Sequence, residues 1–124
     1  MLKRRFTWLL LVLLVAACAP GEAADPAQTV ERYLQAKVNG DAATLRALLC
    51  SEMEGALEQE TQTFVSVSGV RLEGMACSRV GDADKVTCQG KIVALYGTEQ
   101  AEFPLVSYRA VQEDGEWKWC GEAP

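Results

Sequence analysis

The spacing of apolar residues changes at about residue 65, and this change most constrains the fold. Before it, Val30, Tyr33 and Leu34 recur at the intervals of a helix. After it, apolar and charged residues alternate, as in segments 70–73 and 116–120, which is typical of strands. Helices followed by antiparallel strands form an α+β domain. We therefore predict N-terminal helices packed on one face of a curved, four-stranded antiparallel sheet.

Three helices are predicted from their end signals. Asp25 is the expected N-cap of the first helix, Pro26 fits its first position, and Asn39-Gly40 ends it. Asp41 is expected to cap a short second helix with Leu45, Leu48 and Leu49 on its buried side. Ser51 and Glu54 have the spacing of a capping box for a third helix. Its predicted inner residues are Met53, Leu57 and Phe64, and its predicted solvent-facing residues are Glu58 and Glu60.

Four strands are predicted in the second half of the chain. The first runs to Val80 with a bulge or bend at Gly74, and the second covers 86–96. The third covers 101–112, where Pro104 requires an edge position or a bulge because proline has no N–H. Asp114-Gly115 predicts a hairpin turn before the last strand, 116–120.

The N-terminus predicts export. Lys3, Arg4 and Arg5 precede an apolar run of 12 residues from Phe6 to Ala17. This order is that of a secretory signal segment, and the run is shorter than the about 20 residues that a helix needs to cross a bilayer.

The tetrapeptide Val15-Ala16-Ala17-Cys18 resembles a bacterial lipobox, in which the cysteine is acylated and the chain is cut just before it. We therefore predict a signal peptide at 1–17, a lipid anchor on Cys18, a tether at 18–24 and a single domain at 25–124. The alternative is an ordinary signal peptide that is cut after Ala17 or Ala24. The expected location is the cell membrane or the outer membrane, with a lipid anchor.

The four remaining cysteines predict two disulfides, because an exported chain enters an oxidising compartment. A zinc site is the rival interpretation, but paired C-x2-C motifs are missing from the sequence. If Asp82 and Ala83 form a turn, Cys77 lies opposite Cys88 on the neighbouring strand. Cys50 then pairs with Cys120; the runner-up pairing joins 50 to 77 and 88 to 120.

Charge and composition exclude some functions. Loss of Lys3, Arg4 and Arg5 would lower the basic count from 12 to 9 against 17 acidic residues, a net charge of −8. Such a surface disfavours nucleic acid as a partner. The sequence has no histidine, which removes the usual general base and zinc ligand. We expect no metal and no cofactor, and the case for an enzyme is weak.

The order of elements resembles the NTF2-like superfamily, also called cystatin-like or cone-shaped, and within it small bacterial lipoproteins of unassigned role. The residues that carry the resemblance are the helix 26–38 with Asn39-Gly40-Asp41, then 45–50, and the closing segment 113–120 with Asp114-Gly115-Glu116-Trp117. The resemblance implies a cone between the helices and a curved sheet, and some relatives are ketosteroid-isomerase-like enzymes that use a carboxylate in that cone.

Five residues are candidates for lining a pocket in the cone: Tyr33, Tyr96, Arg109, Trp117 and Trp119. Aromatic residues are as a rule core residues, and Arg109 is expected to reach solvent. Asp41 invites a catalytic interpretation, but its helix cap is a sufficient role. We assign no catalytic residue.

Three functional hypotheses remain. The first is a lipid-anchored extracytoplasmic module of the bacterial envelope that binds a small molecule or a protein. The second is an isomerase-like or hydrolase-like enzyme in the same cone. The third is a structural envelope protein with a filled core. An open cavity between helices and sheet would separate the first two from the third.

Overall fold

The computed structural model describes residues 25–124, and within them helices precede a five-stranded antiparallel sheet. The predicted signal peptide, Cys18 and the tether lie outside the described residues. The helical elements are α1 (Pro26–Asn39), α2 (Ala42–Leu48), a 3-10 helix (Ser51–Ala56) and α3 (Leu57–Gln62). The strands are β1 (Ser68–Arg79), β2 (Lys85–Tyr96), β3 (Glu99–Pro104), β4 (Ser107–Glu113) and β5 (Glu116–Glu122).

The ends of the first two helices agree with the end signals. Asp25 accepts a hydrogen bond from the Ala27 N–H at 2.9 Å, and Gly40 ends α1 in the left-handed conformation. Asp41 accepts hydrogen bonds from the N–H and the hydroxyl of Thr44 at 3.2 and 2.7 Å. These bonds, the side-chain one first, lower the pKa of Asp41. Asp41 therefore acts as the cap of α2.

The third helix differs from the prediction. The segment from Ser51 to Ala56 is a 3-10 helix, and its N-cap is Cys50. Ser51 does not form the expected capping box with Glu54, because its N–H and hydroxyl donate to the Glu113 carboxylate at 3.0 Å. The backbone N–H of Cys50 also donates to the Trp119 carbonyl at 2.9 Å. The nearby sheet thus supplies the bonds that a local cap would have supplied.

Strand β2 lies at the centre of the sheet. One of its edges pairs with β1, and the other pairs with β4 near Lys85 and with β3 from Lys91 to Tyr96. The predicted third strand is therefore two strands, and the predicted count of four is wrong. The register against β2 changes by one residue between Ser107 and Pro104, which is the bulge that the proline predicted.

Two glycines permit a sharp bend in the paired strands β1 and β2. Gly74 and Gly90 have φ values of 63° and 99°, and the register of β1 shifts beside Gly74 as predicted. A Cβ on Gly90 would lie 2.6 Å from the Glu73 carbonyl oxygen, so no side chain fits there. The bend curves the sheet around the helices.

Two disulfides join the elements, Cys77–Cys88 and Cys50–Cys120. Cys77 lies directly opposite Cys88 in the β1–β2 hairpin, which is the register that the turn at residues 82 and 83 predicts. The second disulfide ties the start of the 3-10 helix to β5. Both pairings are those inferred from the sequence.

The core lies between α1, α2 and the concave face of the sheet. Its members include Val30, Tyr33, Leu45, Val86, Ala110 and Trp119. Within residues 25–124, no helix has the length and apolar character that crossing a membrane requires.

Candidate functional site

A cleft of about 250 Å³ opens between the C-terminal half of α1, the segment after α3 and the β2–β3–β4 part of the sheet. Seven of its eleven lining residues are apolar or aromatic, and its polar groups lie on Lys37, Thr63, Tyr108 and Glu122. Its apolar and aromatic lining residues are Leu34, Phe64, Ile92, Tyr96, Phe103, Pro104 and Leu105. A second hollow of about 310 Å³ adjoins it at Lys37 and Phe64. The cone is therefore open at this end.

Three aromatic side chains form one wall of the cleft, and we call Phe64, Tyr96 and Phe103 the aromatic wall. The ring centroid of Phe103 lies 6.3 Å from that of Phe64 and 6.4 Å from that of Tyr96, in tilted and edge-on geometries. Tyr96 is 46% exposed and Phe103 is 41% exposed. Apolar side chains with this exposure offer contact area to a ligand at little cost of rearrangement.

The centre of the cone is filled by a stacked pair of rings. Tyr33 and Trp119 lie face to face with centroids 3.9 Å apart and planes 8° apart, and both are buried. Tyr108 adds a tilted ring 6.2 Å from Trp119. Two of the predicted pocket residues, Tyr33 and Trp119, are thus core residues beneath the cleft rather than lining residues, and Tyr96 lines it.

Glu60 points into the fold, so the prediction that it faces water is wrong. Its Oε2 accepts a hydrogen bond from the Tyr33 hydroxyl at 2.8 Å and lies 2.9 Å from the Lys37 ammonium. The Lys37 ammonium in turn lies 6.0 Å from the Trp119 ring centroid. The buried phenol needs an acceptor, and an ionised carboxylate next to an ammonium provides one.

Because of Tyr33, the free energy of unfolding should fall at alkaline pH. Burial, then the charge of Glu60 and its hydrogen bond, raises the pKa of Tyr33 above the ordinary 10.0. Above about pH 10 the unfolded chain therefore releases a proton that the native chain keeps, so the free energy of unfolding falls as pH rises. We expect Tyr33→Phe to show a shallower decline between about pH 9 and pH 11 in urea unfolding. An equally steep decline in the variant would contradict this role.

Tyr108 and Glu122 form the polar side of the cleft. The two residues are partners on β4 and β5, and the Tyr108 hydroxyl accepts a hydrogen bond from the Val106 N–H at 3.5 Å. Burial raises the pKa of Tyr108 most, and the negative charge of Glu122 also raises it. The carboxylate of Glu122 is exposed at this side of the cleft.

The other two predicted pocket residues lie elsewhere. Arg109 projects to the surface, where its guanidinium lies 3.0 Å from the Glu52 carboxylate. Trp117 is buried under Arg79, whose guanidinium carbon lies 4.9 Å from the ring centroid. Trp117 lines a separate groove of about 350 Å³ beside α1 and the β4–β5 turn. Neither residue is among those described as lining the cleft.

A metal centre finds little support in the described part of the chain. There, the group with suitable donor atoms is Cys50, Cys120 and Glu52. Both of its sulfurs are joined in a disulfide, whereas metal binding requires thiolates.

Sequence reasoning missed Phe103 and Lys37 as cleft residues. A signal for Phe103 was present, because a turn at Gly97 and Thr98 pairs Phe103 with Ile92 on the face that carries Tyr96. The sequence gave no such signal for Lys37, since a lysine near a helix C-terminus is already explained by its favourable interaction with the helix dipole.

Comparison with solved structures shows the NTF2-like fold. A designed NTF2 protein is similar with a TM-score of 0.54 and 12% identity, over 77% of this chain and 92% of that chain. A candidate dehydratase of the NTF2-like family from Streptomyces avermitilis has a TM-score of 0.55 and 15% identity, over 78% and 93%.

A SEC-C motif containing protein from Rhodopseudomonas palustris is similar with a TM-score of 0.57 and 14% identity, over 83% of this chain and 81% of that chain. No protein-family model matches the chain, and no curated protein matches it. The expected fold is confirmed. Because one fold hosts many activities, function has to be argued from the cleft itself.

Proposed function

We propose that this protein is a lipid-anchored, extracytoplasmic binding module of the bacterial cell envelope, and that its ligand is a small molecule held in the cleft. The observation that carries the binding role is the open cleft beside a filled core. An open cleft of this kind favours a binding module over a protein whose cone is completely filled. A protein partner is the less favoured occupant, because the aromatic wall borders a concave space rather than a flat face.

The anchoring part of the proposal rests on the N-terminal sequence and on the disulfides. Cys18 follows a short export leader, and α1 begins only eight residues later at Pro26. A tether of this length holds the domain close to the membrane surface, since an extended chain spans at most about 3.5 Å per residue. Two disulfides in so small a domain are typical of proteins in oxidising compartments.

The binding part rests on the composition of the cleft. Ligand sites are concave, mainly apolar, and carry a few convergent polar groups. The aromatic wall with Leu34, Ile92 and Leu105 supplies the apolar surface, and Lys37, Tyr108 and Glu122 supply polar groups. The volume of about 250 Å³ suits a molecule of modest size, since a cavity of about 150 Å³ accepts benzene.

Native mass spectrometry of the full chain, expressed with its leader and purified from bacterial membranes in detergent, tests both parts at once. We expect a product that begins at Cys18 and carries the mass of the acyl chains. We also expect an additional small mass that is released on denaturation. Cys18→Ser should lose the acyl mass, and Phe103→Ala should lose the releasable mass and keep the acyl mass.

Two results would contradict the proposal separately. An uncut product without acyl mass would contradict the proposed lipid anchor. A releasable mass that persists in Phe103→Ala, or is missing from the wild type, would contradict the proposed binding role of the cleft. Tyr108→Phe is a useful companion because it alters one polar group without removing a ring.

A further inference from the structure

Negative charges outnumber positive charges around the cleft. The Lys37 ammonium is already paired with Glu60 at 2.9 Å, and it also lies near the face of the Trp119 ring. Glu122 takes part in none of the ion pairs found among residues 25–124. The three charged groups together therefore carry a net charge of about −1, and the free charge at the cleft is a carboxylate.

The aromatic side chains of the cleft are compatible with a cationic ligand. The faces of Phe and Tyr rings carry negative electrostatic potential and attract cations within about 6 Å. Phe64, Tyr96 and Phe103 surround part of the cleft, and Tyr108 stands next to Glu122. The net charge of −8 expected for residues 18–124 adds long-range attraction for cations.

From this charge balance we propose that the cleft binds a small organic cation: an ammonium group attached to an apolar or aryl body. The inference rests on the proposed binding function and names the chemical class of the ligand. The apolar body packs between the aromatic wall and Leu34, Ile92 and Leu105, and the ammonium lies at the Glu122 side. Lys37 does not attract an anion instead, because Glu60 already neutralises it.

Three probes with one skeleton and different head groups test the proposal: phenylpropylammonium, phenylpropanol and phenylpropanoate. Each is equilibrated by dialysis with the full-length protein in detergent, against a chamber that contains detergent alone. We expect the ammonium to bind about fivefold more tightly than the alcohol, the ratio that corresponds to about 1 kcal/mol for a partly exposed ion pair. The carboxylate should bind most weakly, and added salt should reduce the preference.

Two charge-matched variants identify the group responsible. Glu122→Gln should bring the ammonium within about twofold of the alcohol, since the ion pair is gone. Glu58→Gln removes an exposed carboxylate from α3, outside the cleft lining, and should leave the preference unchanged. Phe103→Ala should weaken the binding of all three probes, which places them in the cleft.

The outcomes separate this inference from the proposed function. If the alcohol or the carboxylate binds as tightly as the ammonium, or if Glu122→Gln keeps the preference, the cation is excluded and the binding role of the cleft stands. If none of the probes binds, or if Phe103→Ala binds all three unchanged, two proposals are contradicted. These are the preference for a cation and the cleft as the binding site.

Discussion

Replacing Cys50 and Cys120 together by alanine is expected to lower the free energy of unfolding by about 4 kcal/mol. The disulfide joins residues 70 apart in sequence, so its loss returns a large amount of chain entropy to the unfolded state. Both residues are buried, and Cys50 begins the segment that carries Glu60 toward Tyr33. A domain of this size has a net stability of about 5–15 kcal/mol, so the loss is a large share.

The hairpin disulfide provides the matched control. Cys77 and Cys88 are 11 residues apart, and the same entropy argument assigns about 3 kcal/mol to their bond. Urea unfolding of the two double variants at one pH measures both values. We expect the Cys50/Cys120 variant to be the less stable of the two. A larger loss from the hairpin pair would show that loop length does not govern the stability of this domain.

Trp119→Ala is expected to cost about 3–5 kcal/mol, the range for removing a buried large aromatic side chain. Trp119 is 3% exposed, stacks on Tyr33 and contacts the core beneath the cleft. Its loss leaves a cavity that the surrounding strands and helix cannot close, since β5 is held by the Cys50–Cys120 disulfide. Urea unfolding gives the cost, and near-ultraviolet circular dichroism should show loss of the stacked-ring signal.

A second substitution distinguishes ring area from the indole N–H. Within the described residues the Trp119 Nε1 is buried without a hydrogen-bond partner, which costs free energy. Trp119→Phe keeps most of the stacking area and removes the unpaired donor, so we expect it to lose much less stability than Trp119→Ala. Equal losses from both variants would mean that the stack with Tyr33 contributes little.

The candidate site was only partly foreseeable. Of the candidate pocket residues, Tyr96 lies at the cleft, while Tyr33 and Trp119 lie beneath it. Arg109 lies outside it because it alternates with the buried Tyr108 and Ala110 and so occupies the outer face of β4. Trp117 lies outside it because alternation says which face a residue occupies and not how far along the cone it lies. The other two residues of the aromatic wall, Phe64 and Phe103, were missed because their contact joins separate elements.

The sequence by itself determined the order and the ends of most elements. Caps at Asp25 and Asp41, the stop at Gly40 and the register of Cys77 with Cys88 depend on neighbours in the chain or on one short turn. Local chemistry is sufficient for such features, and the structure agrees with each of them.

Only the tertiary structure decided where Glu60 points and what surrounds the cleft. Glu60 sits at a position that periodicity assigns to solvent, yet it turns inward since Tyr33 and Lys37, both on another helix, offer a donor and a cation. A buried donor requires an acceptor, and that requirement arises only after distant segments have packed together. The Glu122 carboxylate, which forms no ion pair with residues 25–124, has the same origin, because its state depends on which charges meet in space.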